Sequence, residues 1–282
     1  MASAVIPLLL TILSISTRNI TVSADEDLGG LERVCFGNST KLKNSTNLNF
    51  KNNVYSLLPL LVSASSSSNP PLNFYNTSVS ISPPRAYGSY LCRGDLSPTQ
   101  CHNCLVNVTK FLSSLEIDSS ECFGSDFLWC MVRYANTSNY KVYEEVSVFT
   151  YQPIGQNVTN YNQYNETLSK AITGLITEAG YGNWTKNYVT KAVQVTGRSD
   201  QKIYVLVQCT PDISAMNCSK CLRELYSYIP LCCSGTQGGV LAHAKCLMKY
   251  NNQSFFGAAS PSFMPALFMV TMALLPTMYS FM

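Results

Sequence analysis

The sequence predicts an α+β fold made twice: two tandem disulfide-rich domains, each with two helices packed on an antiparallel sheet. Three observations lead there. Cys92, Cys101 and Cys104 recur as Cys209, Cys218 and Cys221, each 117 residues on, in the pattern C-x8-C-x2-C followed by a leucine, Leu105 or Leu222. Asp95 then matches Asp212, Ser97 matches Ser214, and Cys130-Met131-Val132-Arg133-Tyr134 matches Cys246-Leu247-Met248-Lys249-Tyr250, which marks a tandem duplication. Each copy also holds apolar residues at helical spacing and runs of β-branched and aromatic residues typical of strands.

The elements follow in chain order. Ala4 to Ile15 is an apolar run too short to span a bilayer, and Val22-Ser23-Ala24 supplies the small residues of a signal-peptidase site. Residues 1–24 therefore read as a secretory leader, cleaved after Ala24. The first domain is placed at 28–151. Val54, Leu57, Leu58 and Leu61 follow i, i+3, i+4, i+7 and predict its first helix. Ser65 to Ser68 with Pro70-Pro71 read as a loop. A second helix is expected to open at Ser97, whose hydroxyl caps free amides, with Pro98 at the first helical position and Gln100 completing a capping box. Cys101, Cys104, Leu105, Val108 and Leu112 then share its inner face. Val142 to Tyr151 reads as a strand, and residues 152–160 as a linker, on the turn signals between Pro153 and Asn160.

The second domain is placed at 161–255. Leu168, Ile172, Leu175, Ile176 and Ala179 predict a helix, and Lys202 to Gln208 a strand. Lys249 is the last charged residue, and residues 256–282 form an apolar tail. Its small residues Gly257-Ala258-Ala259-Ser260 resemble the attachment region of a glycolipid-anchor signal, with Gly257 the candidate site. The tail reads either as such a signal or as a membrane span. Both readings tether the chain to the outer face of the plasma membrane.

Composition agrees with an extracellular chain. Twelve cysteines in a secreted protein of this length are read first as paired thiols. Sequons stand at Asn38, Asn44, Asn76, Asn107, Asn136, Asn157, Asn165, Asn183, Asn217 and Asn252, a density that suits a glycoprotein. Charged residues are only 12% of the chain, and a net charge of +3 without a basic stripe excludes a nucleic-acid partner.

Cys101-His102-Asn103-Cys104 invites a metal or redox reading, and the repeat removes both. A zinc ribbon needs its second C-x2-C about 15–20 residues away, and His102 becomes Ser219 in the second copy. The Arg93-Gly94-Asp95 adhesion tripeptide falls likewise, since its partners are Thr210 and Pro211; the shared aspartate reads as a turn residue. Catalysis needs a base or an activated nucleophile. The two histidines, His102 and His243, do not recur between copies, and no nucleophile-elbow or metalloprotease motif is present. The chain is read as a non-enzyme, with no catalytic, metal or cofactor residues.

The doubled C-x8-C-x2-C behind a leader resembles the plant cysteine-rich repeat secretory proteins with two ginkbilobin-homologous (stress-antifungal) domains, also the ectodomain of cysteine-rich receptor-like kinases. The resemblance covers residues 28–255 and implies a sheet of about five strands per domain. It also implies pairing of Cys35 with Cys122, Cys92 with Cys101, Cys104 with Cys130, Cys209 with Cys218, and Cys221 with Cys246. In the second copy the first cysteine is missing and an adjacent Cys232-Cys233 stands instead, its pairing open. The family's mannose contacts are an asparagine, an arginine and a glutamate. Those positions read Phe36, the loop around Gly124-Ser125, and Ala135 in the first copy, and Val240 and Asn251 in the second. None matches, so no sugar site is carried over, although Tyr161 and Tyr164 are candidates for stacking on a sugar. The expected role is an extracellular, membrane-tethered binding module of plant defence or cell-wall signalling, its partner a receptor ectodomain or a cell-wall glycan. The alternative is a secreted antifungal, mannose-type lectin.

Overall fold

Residues 21–24, 30–36, 45–67, 73–126, 129–138, 150–181 and 188–256 are described by the computed structural model. They divide into two compact units, 1–90 with 102–140, and 91–101 with 141–282.

The first sheet has the order β1-β2-β5-β6-β4-β3, formed by β1 (Thr21–Ala24), β2 (Leu31–Phe36), β3 (Phe74–Val79), β4 (Ala86–Cys92), β5 (Glu121–Asp126) and β6 (Cys130–Ala135). Strand β1 lies inside the expected leader; cleavage after Ala24 would leave five strands with β2 at the edge. Helix α1 (Ser45–Ser67) buries Phe50, Val54, Leu57, Leu58 and Leu61, an unbroken stripe at helical spacing. It runs through the serines expected to begin a loop. The Ser65 and Ser66 hydroxyls donate back to the carbonyls of Val62 and Ser63, at 2.7 and 3.2 Å, and so find partners within the helix's own preceding turn. Helix α2 (Pro98–Ser114) opens on the expected capping box. The Gln100 amide donates to Ser97 Oγ at 3.3 Å, and the Ser97 amide donates to Gln100 Oε1 at 2.9 Å. Its inner face, Cys101, Cys104, Leu105, Val108 and Leu112, is buried throughout.

The second sheet has the order β7-β10-β11-β9-β8, formed by β7 (Thr150–Asn157), β8 (Tyr188–Gln194), β9 (Lys202–Cys209), β10 (Thr236–His243) and β11 (Cys246–Asn251). Helices α3 (Tyr161–Tyr181) and α4 (Ala215–Cys232) pack on it, with Leu168, Ile172, Leu175, Leu222 and Leu225 meeting Val205, Val207, Met248 and Tyr250 in one core. Ser214 caps α4 through the Asn217 amide, as Ser97 caps α2. The linker expected at 152–160 is corrected: most of it is β7, paired antiparallel with β10. Pro153 and Gly155 look like turn residues in the sequence, but β7 is an edge strand. There proline's missing N–H costs no ladder bond on the open side, and Gly155 takes a positive φ of 74° beside a slip in the register. The strand expected at Val142 to Tyr151 lies largely outside the described residues, as does the tail from Gly257 on.

Six disulfides staple these elements. Cys35–Cys122 links residues directly opposite on β2 and β5; Cys92–Cys101 joins the end of β4 to the first turn of α2; Cys104–Cys130 ties α2 to β6. In the second unit Cys209–Cys218 and Cys221–Cys246 bind α4 to β9 and β11. The adjacent Cys232 and Cys233 are bonded to each other where α4 ends. No cysteine is left free.

Candidate functional site

The stretch 101–104 opens α2, and both of its cysteines are buried in disulfides, so it offers no thiolate to a metal. Cys221, His243 and Cys246 gather within 4.8 Å of one another, but the two sulfurs are bonded together. His243 is 1% exposed, and burial, assisted by the charge of Lys245, lowers its pKa to about 4. Its Nδ1 accepts the Lys245 amide at 3.3 Å and stands 3.5 Å from Cys221 Sγ. His102 reaches a serine: its Nδ1 lies 2.9 Å from Ser65 Oγ. That hydroxyl is 2% exposed and already donates to Val62, so the pair braces α1 against α2 and presents no nucleophile.

The adhesion tripeptide is turned inward. Arg93 grips Asp95 with both ends of its guanidinium, Nη2 to Oδ2 at 3.0 Å, with the two side chains 6% and 9% exposed. The Gly94 amide donates to Gln208 Oε1 at 2.8 Å, and Gln208 Nε2 donates to the Cys92 carbonyl at 3.0 Å. A Cβ at position 94 would come within 2.0 Å of the Tyr188 ring, which is why glycine stands there. In the second copy Asp212 pairs with Lys245. Both shared aspartates therefore sit inside a turn and hold a cation. Arg93 and Lys249 also flank the Phe255 ring at 5.4 and 4.6 Å, and Phe256 meets Tyr204 edge-on at 5.7 Å.

The positions aligned with the family's sugar contacts are mostly inside: Ser125, Ala135 and Val240 are buried, and Asn251 is half-buried with its Oδ1 accepting the Gln253 amide. A different place is open. A shallow surface cleft lies where α3 begins and α4 ends. Its floor is Tyr164, Leu168, Ile229 and Tyr250; its walls include Tyr161, Asn165, Pro230, Cys233 and Ser234. The two tyrosines proposed for stacking part company here. Tyr164 is 4% exposed, gives its hydroxyl to the Gln237 carbonyl, and has its pKa raised by burial; it belongs to the core. Tyr161 is 44% exposed, with its Oη 3.2 Å from Ser234 Oγ and its ring lying against Gly235, which has a φ of 78°. The Cys233 carbonyl beneath accepts from Tyr250 Oη, the Thr236 amide and Thr236 Oγ1. The sequence carried a signal for part of this: Tyr161 and Asn165 are one helical turn apart, and Pro230 precedes the cysteine pair.

Of the sequons, Asn76, Asn107, Asn136, Asn157 and Asn165 are exposed, and Asn217 and Asn252 half-buried. Asn38, Asn44, Asn183 and the anchor candidate Gly257 lie outside the described residues.

Comparison with known proteins adds the following. The profile of the salt stress response/antifungal family (Stress-antifung) matches residues 34–137 and again 152–253. The antimicrobial ginkbilobin-2-like protein of Castanea crenata is 31% identical over 177 residues, 62% of this chain and 70% of that one. Cysteine-rich receptor-like protein kinase 14 of Arabidopsis thaliana is 29% identical over 192 residues, 66% of this chain but 29% of the kinase. The chain spans 63% of a cysteine-rich repeat secretory protein from the same plant. Among solved structures, the tandem DUF26 ectodomain of the A. thaliana cysteine-rich receptor-like protein PDLP8 superposes with a TM-score of 0.61 at 18% identity, covering 79% of this chain and 97% of that one. The ectodomain of PDLP5 gives 0.57 at 23%, covering 79% and 98%. These likenesses establish the fold.

Proposed function

Because the chain belongs to the salt stress response/antifungal family, and carries its domain twice, we propose that it is a non-catalytic extracellular binding module, tethered at the outer face of the plasma membrane and serving plant defence or cell-wall signalling. Its partner is a receptor ectodomain or a cell-wall glycan. The observation that carries this reading is the pairing of all twelve cysteines, a state suited to an oxidising compartment. Relatives described as secretory proteins and receptor-like kinases support it. So does the way both histidines are used, one bracing two helices and one neutral in the core.

The second reading, an antifungal carbohydrate-binding protein, is favoured by the likeness to the Castanea crenata antimicrobial protein. A glycan array separates the two, using residues 25–256 secreted from a eukaryotic host and trimmed of their own glycans. Specific binding to mannan or another wall polymer favours the lectin. A blank array, with the disulfides intact by non-reducing mass spectrometry, leaves protein partners, and pull-downs against receptor ectodomains follow. Failure of those as well sinks the binding-module reading.

A further inference from the structure

We propose that the cleft between the start of α3 and the end of α4 is the seat of the chain's own N-linked glycan, with the N-acetylglucosamine on Asn165 lying against the Tyr161 ring. The inference rests on the extracellular reading above, since only a chain entering the secretory pathway meets the glycosyltransferase.

Asn165-Glu166-Thr167 is a sequon, and Asn165 is exposed on α3 and lines the cleft. Side chains on a helix lean toward its N-terminus and cover the preceding turn. A sugar on Asn165 is therefore carried over residue 161, and residue 161 is the half-exposed tyrosine. That ring is held ready by its contact with Ser234 and by the glycine behind it. An apolar ring with hydroxyl groups at its rim suits a pyranose, which has one face of C–H groups and an edge of hydroxyls. Pro230 also lines the cleft. Asn107 makes the contrast: it too is an exposed sequon on a helix, but the residue one turn before it is Asn103.

The order of events follows from Thr167. Its hydroxyl is buried and donates to the Gln163 carbonyl at 2.7 Å, so the acceptor sequence is closed once α3 packs. The glycan is attached before the second unit folds and is present while the cleft forms around it.

The test uses the full chain made in plant cells. Site occupancy is read by glycopeptide mass spectrometry, and release by a peptide-N-glycanase active on plant glycans is timed on the folded protein. The expected result is an occupied Asn165 whose glycan is released about tenfold more slowly than that on Asn107. The difference vanishes after reduction and denaturation, and Tyr161→Ala brings the native rate up to that of Asn107. An Asn165 left bare while Asn76 and Asn107 carry glycans overturns the inference and leaves the extracellular reading standing. Equal native release rates in the unaltered chain overturn it too, whatever the variant does. Sequons empty at every position overturn both.

Discussion

Burial keeps the His243 imidazole neutral down to about pH 4, whereas in the unfolded chain it takes up a proton near its ordinary value of 6.5. Between those values the unfolded state binds more protons, so stability is complete above pH 6.5 and drains away as pH falls toward 4. The shift is worth on the order of 3 kcal/mol. Urea denaturation of the protein from pH 7 to pH 4 is expected to show that loss, and His243→Gln to flatten it, whatever its own cost at neutral pH. A slope unchanged by the substitution would place the acid sensitivity elsewhere. Nearby, Gly94→Ala drives a methyl group into the Tyr188 ring and should cost about 1–3 kcal/mol. Asp95→Ala takes the carboxylate away from the buried Arg93 guanidinium while its contact with the Phe255 ring stays, and should cost about 3 kcal/mol. Thermal midpoints check both; indifference to either change would mean that the tripeptide faces solvent after all.

Helix starts are the most legible elements in this sequence because the capping box is local. Its partners are three residues apart, and no tertiary contact is needed to recognise Ser97 and Gln100. Ser97→Ala and Ser214→Ala are each expected to lower stability by about 1 kcal/mol, measured as a shift in the denaturation midpoint at unchanged slope. Strand β7 was hidden for the opposite reason. Proline and glycine mark a turn or an edge strand equally well, and only the sheet order decides between them. The inward side of Tyr164 was readable, since it falls in step with Leu168, Ala171 and Leu175 on the buried stripe of α3. The cleft was not, because its two sides come from distant parts of the chain. The staples differ in what they do for their elements. Cys35–Cys122 closes a loop with 87 residues of separation and should contribute about 4–5 kcal/mol by restricting the unfolded chain. Cys232–Cys233 closes none. Replacing both members of the first pair with alanine is expected to abolish secretion or sharply lower the midpoint, while the double replacement at 232 and 233 leaves the midpoint within about 1 kcal/mol of wild type. Similar costs for the two would show that restriction of the unfolded chain is not what these bonds supply.

At the scale of the molecule, no disulfide joins one unit to the other. The second unit nonetheless includes residues 91–101, and those residues satisfy the Gln208 carboxamide, which is 1% exposed. A fragment of residues 141–256 lacks them and leaves that amide without either bond. Each such bond is worth about 0.5–1.5 kcal/mol net, so calorimetry should find the fragment melting below the corresponding transition of the full chain. Equal melting would mean that residues 91–101 add nothing. The Phe255 and Phe256 contacts carry a mechanical consequence. Tension on the chain beyond Phe256 does not reach β11 first. It must drag one ring away from two cations and lift the other off Tyr204. These contacts take the load before any rung of the sheet does, so the ring pair stands as a latch in front of the ladder.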